Sequence, residues 1–406
     1  MYLKRVPYRT ASLKAAQVPF LGALLYNASN IMKRRRAFGV AAILGLAFTC
    51  CVVPRKGPLV DPFRLSFPLV EAGTLEIEGT VVGQPRARDG VVYFATREGF
   101  LTAVVAPSRQ FFWKFKAEHS VSVSPELGEN HLFLRDDGNV IYVLDFRGSL
   151  VLKTYINEAV TSPVLENKGR VYFGTASGKV IALDLSVNGV QAWEYRAAAA
   201  ITAGPVFAGD LLIFGAADGR LIALDQAGKL VWEFAAKGAI TADPAEADGR
   251  IYFGTEERFL CCLNAVTGKK IWARRLQGAP LHPALIHGRR LALAASNSVI
   301  YFISRRGGSI LSWEAVPSRV VHEISEAGPL ILVSSAAPNL IAYDFATGKR
   351  AGGHLASGPL AAGATWVPPF VVLIAGDEES GCQRLVFLRP QSAASAALAG
   401  ALSPGF

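Results

Sequence analysis

The side chains best suited to chemistry in this chain are the adjacent cysteines Cys261-Cys262, six histidines and one acidic turn. Neighbouring thiols raise the question of a disulfide between them. The pair aligns with Ile181-Ala182, in the middle of a predicted strand, and successive strand residues point to opposite faces. That opposes the bond, so structural cysteines are expected. Cys382 has no evident partner and reads as a buried or free thiol. His119, His131, His282, His287, His322 and His354 lack the spacing of metal ligands. Asp136-Asp137-Gly138-Asn139 has the look of a calcium loop, but it falls at a recurring turn between strands and reads as a solvated hairpin. No Ser/His/Asp or paired-carboxylate arrangement has spacing that supports catalysis. The expectation is therefore no catalytic residue, no cofactor and no metal.

What positions these residues is a repeat. From about residue 80 a phrase recurs: a Gly-bounded turn, an aromatic or β-branched triplet, then a small-residue turn. The triplets end at Phe94, Leu134, Phe173, Phe214, Phe253, Leu293, Val333 and Leu373, with spacings of 39–41 residues. Each copy reads as four short strands. In the fourth, Ile201-Thr202-Ala203 leads into Pro205, Leu211–Phe214 is the second strand, and Ala217-Asp218-Gly219 is a hairpin turn. Leu221–Leu224 is the third strand, and Leu230–Phe234 the outer one. Four antiparallel strands per unit of about 40 residues make a propeller blade.

The turn between third and fourth strands carries the strongest pattern. Asp145, Asp184, Asp225, Asn264 and Asp344 open it, and Gly148, Gly189, Gly228, Gly268 and Gly348 follow. An Asp or Asn side chain bonds backbone amides ahead of it, and Gly supplies a left-handed conformation. A tryptophan often comes next, at Trp113, Trp193, Trp232, Trp272 and Trp313. A large ring at one place in each blade suits packing against its neighbour. The innermost strands are rich in small residues, as expected around a crowded axis.

Seven full repeats fill residues 80–362, and residues 363–390 add a unit without its outer strand. Phe63–Phe67 is a lone upstream strand; joining the two completes an eighth blade, and closure removes exposed edges. The expected fold is all-β: an eight-bladed β-propeller of four-stranded antiparallel blades over 63–390, closed by an N-terminal strand. Residues 391–406 read as a disordered tail.

Charge separates the propeller from what precedes it. Residues 1–60 hold ten basic and no acidic residues, and the remainder balances at 32 of each sign. A nucleic-acid binder carries its basic footprint on the folded domain; here the positive charge belongs to a targeting segment. Met32-Lys33-Arg34-Arg35-Arg36 precedes seventeen uncharged residues, Ala37–Val53, the build of a secretory signal. Cys50 and Cys51 end that run, where a bacterial lipoprotein places its acylated cysteine. One of the two is the expected lipidation site; an uncleaved anchor is the alternative. Residues 32–53 are thus signal or membrane anchor, 54–62 a linker, and 1–31 an extension or a start assigned too early.

The phrases Ala223-Leu224-Asp225…Gly228-Lys229…Trp232 and Asn264-Ala-Val-Thr-Gly268-Lys269-Lys-Ile-Trp272 resemble the tryptophan-docking repeat of pyrroloquinoline-quinone (PQQ) dehydrogenases. With the cysteine-terminated signal and one compact propeller, the whole resembles the propeller lipoproteins of the bacterial outer-membrane β-barrel assembly (Bam) machinery. That resemblance implies a non-catalytic scaffold on the periplasmic side of a membrane. It would be an outer-membrane lipoprotein, with an inner-membrane anchor as alternative, and a monomer within a complex. Its partner would be an envelope protein, the β-barrel insertase being the candidate. A PQQ-dependent oxidoreductase and an extracytoplasmic sensor domain are the alternative readings. Quinone dehydrogenases carry a disulfide between neighbouring cysteines, which Cys261-Cys262 echoes. They are longer, however, with insertions that build a lid. Repeats six and seven depart from the pattern: Ser304 replaces the turn Asp, and Gly352 stands where Trp is expected.

Overall fold

Alternation of apolar and polar residues over five or six positions, punctuated by Gly turns, leaves each repeat little choice but a meandering antiparallel sheet. The computed structural model describes residues 65–320, 322–376 and 383–391, and over them it holds eight such sheets of four strands. Blade one spans 81–116, blade two 126–155, blade three 165–196 and blade four 201–235. Blades five, six and seven span 245–275, 285–315 and 325–355. Blade eight takes three strands from the C-terminal end, Thr365–Val367, Phe370–Ala375 and Gln383–Pro390, and its outer strand, Leu69–Ile77, from the N-terminal end. The eight-bladed fold with N-terminal closure is the one the repeats implied.

The closing strand lies later than expected. Phe63 and Arg64 fall outside the described residues, and Leu65–Phe67 are not strand. Leu69–Ile77 pairs antiparallel with Gln383–Pro390, Leu75 facing Leu385. A bulge between Glu71 and Gly73 breaks the alternation that would have marked this strand in the sequence. Leu65 and Phe67 instead pack into the core between blades seven and eight. Cys50, Cys51, Cys382, residues 1–62 and residues 392–406 lie outside the described residues.

Each blade has two apolar faces and each seam between neighbours has its own core, eight in all. Third-strand residues alternate between seams: Leu221 and Ala223 serve the four–five seam, Ile222 the three–four seam. First strands of neighbouring blades touch around the axis, as between blades four and five. Among the described residues, no helix is long and apolar enough to cross a membrane.

Candidate functional site

The turn residues and the tryptophans meet across seams, not within a blade. Asp225 Oδ1 accepts the amides of Ala227 and Lys229, both at 2.9 Å. Asn264 Oδ1 accepts those of Val266 and Thr267, Asp184 Oδ1 that of Ser186, and Asp344 Oδ1 that of Thr347. These bonds fix the turn and present its glycine to the preceding blade. Gly228 (φ +79°) lies so close to Trp193 that a Cβ there would sit 2.6 Å from the indole. A side chain at this position would meet both the left-handed backbone and the ring. Trp232 covers Gly268, Trp113 covers Gly148 and Trp272 covers Gly308 in the same way. Each indole also donates Nε1–H to a turn carbonyl of the next blade: Phe146, Gln226, Ala265 and Arg305, at 3.0–3.1 Å.

Trp313 departs from this set and is 61% exposed. Trp113, Trp193, Trp232 and Trp272 face a small third-strand residue, Ala103, Ala182, Ala223 or Cys262. In blade six the corresponding residue is Phe302, which faces Ser312. The Phe302 ring and Ser312 together occupy the space over Gly348, and Trp313, one step further on, points outward. Leu152 takes the docking place over Gly189. At the seams of blade eight the partners are exchanged. Gly352 stands on the outer strand, and Phe67 from the N-terminal lead-in fills its place. Gly73 stands on the closing strand under Arg109, whose Nη1 donates to Ala72 O at 2.7 Å. The missing tryptophan of repeat seven is therefore supplied in kind by a segment from the other end of the chain.

The axis carries a charged cluster that sequence reasoning did not assemble, because its members come from five blades. Arg86 of blade one pairs with Glu323, which leads into blade seven, at 2.9 Å, reaching past blade eight. Arg135 and Glu126 pair at 3.0 Å within blade two, and burial pushes the Glu126 carboxyl up. Asp243 accepts Gly204 N–H at 2.8 Å. Burial pushes its pKa up to about 6, with Glu126 and Glu323 adding to the effect and the Gly204 bond opposing it. Burial pushes the nearby His282 and His322 down. Among the described residues, no group of three His, Cys, Asp or Glu could hold a metal.

Asp136, in the calcium-like turn, is not solvated. Its carboxylate accepts Gly138 N–H, Val140 N–H and Tyr142 O–H and faces His119 Nδ1, all near 3.0 Å. Burial acts to raise its pKa, but these bonds outweigh burial and hold it below the ordinary carboxylate range. Cys261 and Cys262 are both buried and free, and they belong to different seams, four–five and five–six. Burial pushes each thiol up to about 11, far from a reactive thiolate. Their opposed placement does not fit a disulfide-lined quinone pocket.

An apolar groove of about 390 Å³ opens at the seam where the closing strand meets blade one. Ile77, Phe94, Phe111, Phe112 and Trp113 line it, with Glu76, Glu78 and Lys114 at its edge. Phe112 is 52% exposed, and the outer strand of blade one, Gln110–Lys116, is hydrogen-bonded on one side only. An open strand edge beside an apolar groove suits protein docking.

These features define a class: a PQQ-repeat propeller of eight blades, most of its seams locked by a ring packed on a glycine, and closed by strands from both ends. The family model described as outer membrane protein assembly factor BamB matches residues 97–234 and 217–311. This chain belongs to the BamB family. It is 28% identical over 218 residues to the outer membrane protein assembly factor BamB of Burkholderia pseudomallei strain K96243, covering 49% of this chain and 56% of that relative. The match thus spans little more than half of the relative's length. The crystal structure of BamB from Moraxella catarrhalis superposes with a TM-score of 0.63 at 17% identity, covering 79% of this chain and 100% of that one. The quinohemoprotein alcohol dehydrogenase of Comamonas testosteroni superposes with a TM-score of 0.64 at 13% identity, covering 80% and 77%. Those two similarities establish the fold alone.

Proposed function

We propose that this chain is a non-catalytic, membrane-anchored scaffold that docks envelope proteins on the periplasmic side during outer-membrane protein assembly, with the β-barrel insertase as the main partner. The observation that carries this reading is the groove at the closing seam: apolar, rimmed by both signs of charge, and flanked by an unpaired strand edge on a rigid ring. Rigid platforms lose little entropy on binding, so a modest groove suffices for a specific partner. Family membership supports the assembly role. The opposed Cys261 and Cys262 argue against the quinoprotein alternative. In this reading Cys50 or Cys51 carries the lipid, and the tryptophans and their turn residues serve rigidity, not contact.

A photo-crosslinking amino acid at Phe112, in cells, tests it. The expected product is an adduct containing the β-barrel insertase or another envelope assembly protein, absent when the crosslinker replaces Val190 on blade three. No adduct from Phe112, or equal adducts from both positions, refutes the docking site. Fatty-acid labelling of Cys50→Ala and Cys51→Ala variants tests the anchor separately.

A further inference from the structure

Blade six opens its third turn with Ser304 where blades two, three, four, five and seven have Asp or Asn. The turn itself is unchanged. Gly308 N–H bonds Ser304 O as Gly268 N–H bonds Asn264 O and Gly348 N–H bonds Asp344 O. In blade five the Asn264 oxygen receives the second and third amides of the turn. The matching amides in blade six, of Arg306 and Gly307, have no acceptor among the described residues. The Ser304 hydroxyl accepts neither of them. The turn keeps two donors aimed at a place where an oxygen atom normally sits.

Ser304 lines a pocket of about 580 Å³ together with Arg250, Arg289, Arg305 and Arg306, with Asp248 as its only acid. Arg305 is committed: it bonds Asp248 Oδ2 at 2.9 Å, Tyr252 O–H at 3.3 Å and Gly288 O. Arg250 bonds Arg305 O at 3.1 Å, which fixes the wall between the two blades. The guanidinium groups of Arg289 and Arg306 have no ion-pair or hydrogen-bond partner among the described residues, although the Arg289 carbonyl accepts Arg305 N–H at 3.0 Å. The counterpart of Arg250 in blade three, Arg170, lies 3.7 Å from Asp184. Here the corresponding position is the uncharged Asn264. Four guanidinium groups thus share one carboxylate, Asp248, and the pocket carries a surplus of three positive charges.

We infer that this pocket binds a phosphate group, taken from a phosphate monoester or a lipid headgroup. One phosphate oxygen occupies the position of the missing Asp oxygen and accepts the Arg306 and Gly307 amides. Arg289 and Arg306 hold the remaining oxygens. Forked guanidinium donors with free backbone amides are the usual chemistry of phosphate recognition. A dianion matches the surplus charge better than one carboxylate does. The inference does not depend on the docking role proposed above.

The test is titration of the full chain with inorganic phosphate, followed by the amide resonances of Arg306 and Gly307. Saturable shifts that weaken with added salt are expected. Arg289→Ala and Arg306→Ala should each weaken binding about tenfold, the scale of one charge-assisted bond. Ser304→Asp supplies the internal carboxylate and should abolish binding while leaving the fold at least as stable, since Asp opens this turn in other blades. Sedimentation with phosphatidylcholine vesicles, with and without phosphatidic acid, identifies the source. Capture dependent on phosphatidic acid and lost in Ser304→Asp assigns a lipid headgroup; phosphate binding without capture assigns a soluble phosphate ester. No shift at either amide, unchanged binding in Ser304→Asp, or tighter binding of an acidic peptide than of phosphate would overturn the inference.

Discussion

Trp232 and Trp313 look alike in the repeat, and the structure separates them sharply. Trp232 is 9% exposed, covers Gly268 and donates to Ala265 O. Trp232→Ala empties that seam, and truncating a buried Trp costs about 3–5 kcal/mol. It also leaves the Ala265 carbonyl without its donor, adding about 1 kcal/mol. Trp313 covers no glycine and stands mostly in water, so Trp313→Ala should stay within about 0.5 kcal/mol of the parent. Urea unfolding followed by far-ultraviolet circular dichroism reads the contrast without relying on indole fluorescence. With a denaturant slope of about 3 kcal/mol/M, the Trp232 variant should lose more than about 1 M in midpoint. Similar midpoints for the two variants, or the larger loss at Trp313, would refute the idea that ring-on-glycine docking holds the blades together.

Asp243 has a folded pKa of about 6, above its ordinary value of 3.8, so ionisation is penalised in the native state. Its stabilising contribution is complete below about pH 4 and is lost as pH rises through 6. Asp243→Asn should therefore raise stability at pH 8 by up to about 3 kcal/mol and change little at pH 4, as thermal melts at both values would show. An equal gain at the two pH values would exclude the titration. Cys261 and Cys262 should resist alkylation in the native protein and both be alkylated after denaturation without reductant, read by peptide mass spectrometry. Recovery of that peptide two hydrogens lighter and unlabelled would establish the bond the geometry opposes. Deleting residues 65–77 leaves Gln383–Pro390 as an open edge, so the shortened ring should melt lower and self-associate in sedimentation experiments. A monomer with unchanged melting would mean that closure contributes nothing.

Much of the ring was legible because burial recurs with the repeat. Third-strand quartets such as Leu221–Leu224 recur throughout, and turns from Asp or Asn to Gly follow them in blades two, three, four, five and seven. The closing strand was misplaced because two apolar residues, Leu65 and Phe67, serve a seam instead of a ladder, and the Gly73 bulge hides the true strand. The exchange at Gly352 could not be read from spacing, since its partner arrives from almost three hundred residues away. Trp313 did carry a clue. It follows its turn glycine, Gly308, by five residues, whereas Trp193, Trp232 and Trp272 follow theirs by four. Of the candidate sites, the loss of the turn acid at Ser304 was visible, but the convergence of Arg250 and Arg289 from different blades was not. The groove at the closing seam depends on a strand whose position was itself misjudged.

The pairing of Leu75 with Leu385 has a consequence for how the molecule comes into being. Seven of the sheets are local and can zip up in order as the polypeptide emerges. The eighth cannot begin until nearly the whole chain exists, and its contacts have the greatest sequence separation in the fold. Long-range pairing of this kind forms late and slowly. Until then the nascent ring is an open arc with an unsatisfied strand at each extremity, the state most exposed to mispairing and to capture by chaperones.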